Sequence, residues 1–197
     1  MRRLLKSLAQ GIALAAAFPA AAACGFGRWI AVFTLCAHAC SLAPGILGDY
    51  LRIAWYRLTL EECSLGSRIS FGSFFSSPKA RVKRGVYIGS YCILGRVTIG
   101  ERTQIASGVQ ILSGARQHAR DASGRITGSA EGVFEAVSIG ADCWIGAAAV
   151  IMADVGNGTT IGAGSVVTKP IPPQVVAVGS PARVIRAADQ AEGERER

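Results

Sequence analysis

Within the run ILSGARQHARDASG, residues 111–124, stands His118, one of two histidines in a chain of 197 residues. Imidazole titrates near neutral pH, so it is the side chain best suited to take a proton from a hydroxyl and pass it on. Asp121 follows three residues later and Glu135 closes the same stretch. Either carboxylate could accept the second ring N–H and orient the base, and a backbone carbonyl would serve equally well. A metal is not expected here. The other histidine, His38, lies in a distant apolar run, and the six cysteines (Cys24, Cys36, Cys40, Cys63, Cys92, Cys143) contain no CxxC pair. Zinc hydration chemistry would need three histidines per metal, and small buried thiols in a reducing compartment are the expectation for all six cysteines.

The elements that must hold His118 are set by a six-residue rhythm. Aliphatic or aromatic residues stand at Ile69, Phe75, Val82, Ile88 and Leu94, then at Ile99, Ile105 and Ile111. After a gap the rhythm resumes at Ile139, Ile145 and Ile151, then at Val155, Ile161 and Val167, with glycine following many of these positions. The register slips by one between Leu94 and Ile99 and shortens by two between Ile151 and Val155. A helix repeats every 3.6 residues and an alternating strand every 2, so neither accounts for a spacing of six. A parallel β-helix does, because each short strand aims one aliphatic side chain inward and the next turn needs little bulk. Residues 113–136 carry no such positions but include Gly114, Gly124, Gly128 and Gly132, so they read as a loop thrown out between coils. Long loops in compact domains are usually functional. The alternative is a tolerated surface insertion in which the histidine is incidental.

The segment VSIGADCWIGAAAVIMADVGNGTTIGAGSVVTKPIPPQVVAVGSPARVI, residues 137–185, resembles the left-handed β-helix, hexapeptide-repeat acyltransferases. With the apolar N-terminus and the SGxxQH run, the outline is most similar to the acetyltransferases of bacterial surface polysaccharides. The resemblance implies a mainly β chain, a left-handed parallel β-helix and a homotrimer with sites in the clefts between subunits. It also implies acetyl-CoA as co-substrate, with no metal, and His118 as general base, assisted by Asp121. Carried residue by residue, it places coenzyme A contacts at Ala147, Ala163, Thr168, Lys169, Arg183 and Arg186. Small residues would admit the pantetheine arm and cations would meet the phosphates. A backbone amide around Gly146 or Ala147 would hold the oxyanion. Trp144 should point outward, either walling the thioester channel or meeting a neighbouring subunit.

The first sixty residues form a separate region. MRRLLK precedes an apolar, alanine-rich run, and a second apolar run follows from Trp29 to Leu47. Each is at the lower limit for crossing a bilayer, and the arrangement also resembles a secretory signal. Six basic residues (Arg2, Arg3, Lys6, Arg28, Arg52, Arg57) face one acid, Asp49, within residues 1–60 of a chain whose net charge is +8. Basic charge beside apolar runs suits anionic lipid, and no basic stretch interleaved with aromatics suggests nucleic acid. Leu47, Tyr50, Leu51, Ala54, Trp55 and Leu58 fall on one helical stripe with Arg52 and Arg57 off it, which fits either an interfacial helix or a cap on the coil.

The expected organisation is a membrane-associated helical region (1–60), a β-helix acyltransferase domain (61–186, loop 113–136) and a disordered tail (187–197). The expected activity is O-acetylation of a saccharide or polysaccharide precursor, free or lipid-linked, at the cytoplasmic face of the inner membrane. Acetylation of serine or another small acceptor, and a non-catalytic scaffold in a polysaccharide-synthesis complex, are the alternatives.

Overall fold

Fifteen short strands wind into a three-faced coil, and a sixteenth folds back along it; the computed structural model describes residues 2–114, 122–126 and 135–188. The first face carries β1 (Glu62–Cys63), β4 (Arg81–Val82), β7 (Val97–Ile99) and β10 (Val137–Ile139), and parallel bridges through Val155 and Ile171 extend it. The second carries β2 (Arg68–Ile69), β5 (Tyr87–Ile88), β8 (Gln104–Ile105), β11 (Trp144–Ile145), β13 (Thr160–Ile161) and β15 (Val175–Val178). The third carries β3 (Phe74–Phe75), β6 (Ile93–Leu94), β9 (Gln110–Ile111), β12 (Val150–Ile151) and β14 (Val166–Val167). Five coils and a partial sixth result, closed by β16 (Arg183–Ala187) antiparallel to β15. The expected tail thus starts later than residue 187, since Ala187 ends a strand and Ala188 N–H donates to Gln174 O at 2.9 Å. Residues 189–197 lie outside the described residues.

Every inward position named by the six-residue rhythm is buried, from Ile69 at 0% exposure to Val155 at 2%. The column is stabilised by removing aliphatic surface from water, roughly 25 cal/mol per Å². Two residues before most inward positions on the second and third faces a small buried side chain fills the turn, Ser67 and Val175 being half-buried. Several are hydroxyls: Ser73 Oγ donates to Gly89 O (2.6 Å) and accepts from Cys92 N (2.9 Å). Cys92 and Cys143 occupy the same slot, their Sγ atoms on the carbonyls of Ala106 (3.2 Å) and Gly156 (3.1 Å). Burial raises both thiols and pushes Cys63 up to about 12, so these cysteines stay protonated, as a packing role requires.

The corners are not equivalent. From the first face to the second, and from the second to the third, inward residues are always six apart, as in Ile139, Ile145 and Ile151. At the corner closing each coil the step is seven (Phe75 to Val82), five (Leu94 to Ile99), twenty-eight (Ile111 to Ile139) and then four twice (Ile151 to Val155, Val167 to Ile171). Every departure from the rhythm, including the insertion with His118, falls on this closing corner.

Three helices, α1 (Arg2–Ala23), α2 (Ile30–Ser41) and α3 (Gly45–Thr59), cover the open end of the first coil. A bare β-helix end exposes unpaired backbone groups, and the helices satisfy them. Gln10 Nε2 donates to Leu65 O (2.8 Å), Arg52 Nε donates to Ile69 O (2.9 Å), and Tyr56 Oη accepts from Phe75 N (3.1 Å). Gly72 N–H donates to Ser41 O at 2.8 Å. On α3, the sequence expectation holds for a cap and fails for the stripe. Trp55 is fully buried against Phe33, whereas Leu47 is 79% exposed. Arg52, placed off the stripe by the helical pattern, is completely buried. It donates to the carbonyls of Cys40 (3.2 Å), Ser41 (3.3 Å) and Ala43 (2.6 Å) and to Asp49 Oδ1 (2.6 Å), besides Ile69. That set of acceptors compensates the desolvation of the guanidinium.

Candidate active site

The insertion leaves and re-enters the coil through a neck at the closing corner, where Glu135 N–H donates to Ser113 O at 3.1 Å. Ser113 Oγ accepts from Arg96 N at 2.8 Å, fastening the neck to the preceding coil. His118 and Asp121 lie outside the described residues. Glu135, the other carboxylate considered for orienting the ring, sits at the neck.

The same corner carries Thr168 and Lys169. Leu112 N–H donates to Ile151 O and Met152 N–H to Val167 O, both at 2.9 Å, so Leu112, Met152 and Thr168 stack coil upon coil. Ser113, Ala153 and Lys169 stack beside them, which puts Lys169 about 10 Å from the neck, two strand spacings along the axis. Thr168 and Lys169 are exposed, and Lys169 has no ion pair among the described residues. Ala153 and Lys169 each lie inside one of the two four-residue steps, Ile151 to Val155 and Val167 to Ile171.

Ala147 and Ala163 occupy the corner between the second and third faces, at the other end of β12 and β14. Gly164 N–H donates to Ala147 O at 2.8 Å, which fixes one alanine above the other, and both are exposed. A Cβ on Gly146 would overlap the backbone nitrogen of Ala163, so glycine lets these coils approach fully. The column continues upward through Gly179, whose carbonyl accepts from Val166 N (3.0 Å), to Arg183 at the start of β16. Arg183 is exposed, with Nη1 on Ala182 O at 3.0 Å. Arg186 lies further along β16 opposite Val176, and its Nη1 is enclosed without a hydrogen-bond partner among the described residues.

One expectation for the oxyanion is corrected. Gly146 N–H donates to Ile161 O at 2.8 Å and belongs to the ladder between coils. Ala147 N–H has no such partner among the described residues, so of the two amides it is the one open to a ligand. Trp144 points outward, 53% exposed, between Gln104 and Thr160 on the second face. The six residues assigned to the acyl carrier therefore form two groups flanking the third face, Ala147, Ala163 and Arg183 on one side and Thr168 and Lys169 on the other, with Arg186 apart from both.

Comparison with known proteins agrees with the coil fold. Residues 136–169 match the bacterial transferase hexapeptide model of six repeats. Galactoside O-acetyltransferase of Escherichia coli K12 is 56% identical over 52 residues, 25% of this chain and 26% of that protein. The chain spans less than half the length of the curated relatives it matches, 42% in the first of them. A maltose O-acetyltransferase from Clostridium difficile 630 superimposes with a TM-score of 0.62 at 26% identity, covering 82% of this chain and 85% of that one. AntD, an N-acyltransferase from Bacillus cereus solved with coenzyme A and a dideoxyamino sugar nucleotide, shares the fold with a TM-score of 0.54 at 22% identity, covering 66% of this chain and 75% of its own. Residues 136–169 thus carry the transferase hexapeptide repeat, and the coil shares its fold with the maltose O-acetyltransferase.

Proposed function

We propose that the protein is an acetyl-CoA-dependent O-acetyltransferase acting on a hydroxyl of a saccharide or polysaccharide precursor. The observation that carries this reading is the closing corner. The coil tolerates one long interruption, which holds the lone histidine of the coil region, and Lys169, exposed and without an ion pair among the described residues, stands on that same corner two coils above. Likeness to a maltose O-acetyltransferase over most of the chain supports a sugar acceptor.

The residues present fit the acyl carrier. Small side chains at Ala147 and Ala163 leave the corner open to the pantetheine arm, and the exposed Lys169 and Arg183 offer cationic ends for phosphates. Acetyl-CoA supplies an acetyl group already activated as a thioester. His118 takes the proton from the acceptor hydroxyl as its oxygen attacks the acetyl carbonyl, and Asp121 or Glu135 steadies the resulting imidazolium. Ala147 N–H stabilises the developing oxyanion. The carbon–sulfur bond then breaks, and the imidazolium returns its proton to the departing sulfur. A left-handed winding and a homotrimer, in which a neighbouring subunit completes the cleft, belong to the same reading.

Association with the cytoplasmic face of the inner membrane through residues 1–60 is also part of it. Acetyl-CoA is cytosolic and lipid-linked saccharides sit at the membrane, so an anchored coil brings the two together. The test is mass spectrometry of surface glycans from cells lacking the gene, complemented with wild type or His118→Ala. Acetyl groups should return only with wild type. Identical spectra with and without the gene would refute a glycan acceptor, and full restoration by His118→Ala would leave a scaffold.

A further inference from the structure

We infer that α1, α2 and the start of α3 lie flat in one leaflet of an anionic bilayer, neither spanning it nor entering as a hairpin, with the coil standing above them. The inference deepens the membrane reading of residues 1–60 and rests on it.

The first argument is that α1 is amphipathic in the wrong sense for water. Ala13, Ala17 and Ala21 form its buried face against α3 and the coil. On the opposite side Leu4, Leu8 and Ile12 are exposed at 77%, 63% and 63%. Gln10, half-buried, turns towards the coil and, with the exposed Lys6, lines a recess with Asp49 and Arg68. A helix facing water would turn its large apolar side chains to the protein; this one buries alanines and turns its leucines and Ile12 outward. The pattern continues on α2, where Phe33, Ala37 and Ser41 are buried and Ile30, Leu35 and neighbouring Leu42 are exposed, and on α3 at Ile46 and Leu47. So broad an apolar surface marks an interaction site.

Tethering decides the orientation. Leu4–Ala23 is long and apolar enough to cross a bilayer. Yet Gln10, well inside that stretch, donates to Leu65 O in the first coil. The turn after α1 also touches the coil end, since a Cβ on Gly27 would overlap the Thr59 carbonyl and press on Pro78. The end of α2 is held by the Gly72 to Ser41 hydrogen bond. A spanning α1 would carry its far end about 30 Å from the coil, to the opposite side of the membrane. All three points stay on the coil, so the helix runs along the surface.

Charge selects the occupant. The single acid among the first sixty residues, Asp49, is paired with Arg52 (2.6 Å) and Arg68 (2.8 Å), so no unpaired carboxylate opposes anionic headgroups. The coils bearing Ala147 and Ala163 then stand about 15–20 Å above the first coil, on a helical layer ~10 Å thick. A membrane-linked acceptor must reach that height, which favours an extended glycan over a lipid bearing one sugar.

The full chain, purified in detergent, is diluted into phosphatidylcholine vesicles with or without phosphatidylglycerol and floated on a density gradient. It should float, with at least tenfold better partition into the anionic vesicles. Leu8→Glu/Ile12→Glu/Leu35→Glu should lose flotation more than tenfold with an unchanged circular dichroism spectrum. A nitroxide on Ile12→Cys, in a Cys36→Ala/Cys40→Ala background that leaves only the buried thiols, should report a depth within ~10 Å of the headgroups. A label at the bilayer centre with flotation intact overturns the flat orientation alone. Wild type that does not float, or a triple variant that floats as wild type but changes oligomeric state, overturns the membrane reading too.

Discussion

The wall of the coil and the helical layer beneath it are stabilised by opposite means. In the wall, interchangeable aliphatic side chains such as Ile105, Ile145 and Ile161 are buried and the polar residues face outward. In the layer below, one buried cation, Arg52, gathers the loose carbonyls of the α2–α3 turn and the first coil, while leucines face outward. The wall depends on register and the layer on a single polar hub. Damage to the first should therefore spread along the chain, and damage to the second should be sharp but local.

The largest effect should come from breaking the register of the wall. A glycine inserted after Ser107, at a corner where the step is always six, displaces Ile111 from the column and shifts the neck of the insertion that follows it. Cooperative thermal unfolding should disappear. The same glycine after Lys79, at the closing corner where steps vary, should cost about 2 kcal/mol or less, since that corner already absorbs length changes. Equal damage at both sites would refute the difference between corners.

Next in size is the hub. Arg52→Met removes the buried guanidinium, leaves the carbonyls it served without a donor and Asp49 with Arg68 alone, for a loss of about 3–5 kcal/mol in denaturant unfolding. The β-sheet circular dichroism signal should survive in the folded state. A loss below ~1 kcal/mol would show that water replaces the guanidinium.

The smallest effect belongs to the wall's outer surface. The Arg102 guanidinium holds the Asp142 carboxyl below the usual carboxylate range, through contacts of 2.6–2.7 Å. A depressed folded pKa contributes stability that is complete above the unfolded carboxylate value and vanishes as pH falls through the folded one. The pair is fully exposed and screened. Asp142→Asn should leave the thermal midpoint at pH 7 unchanged within error, and any wild-type advantage at pH 7 should fade on acidification.

The difference between wall and layer also explains what the sequence disclosed. Periodic burial writes itself into the chain, so Ile69 through Val167 were legible as one column, and the slips at Leu94–Ile99 and Ile151–Val155 were legible before their shared corner was known. The exposed positions of Ala147, Thr168 and Lys169 follow from that register. Arg52 was not legible, because its carbonyl acceptors lie nine to seventeen residues away and no period links them. Helical spacing likewise assigned Leu47 and Trp55 to one face, whereas the first coil meets α3 where Trp55 and Tyr56 can be enclosed, leaving Leu47 outside. Gly146 as an oxyanion donor failed for a related reason: only the ladder shows which amides are already committed. His118 and Asp121 belong to the non-periodic insertion, and their roles rest on their chemistry and on the family resemblance.

The central claim is acetyl transfer driven by His118, and coenzyme A release measures it directly. Purified wild type and His118→Ala are supplied with acetyl-CoA and the extracted glycan precursor, and free thiol is followed with time. Wild type should release coenzyme A in step with glycan acetylation, and His118→Ala should be slower by about 10²–10⁴-fold at unchanged oligomeric mass. Release by His118→Ala at the wild-type rate would contradict the account.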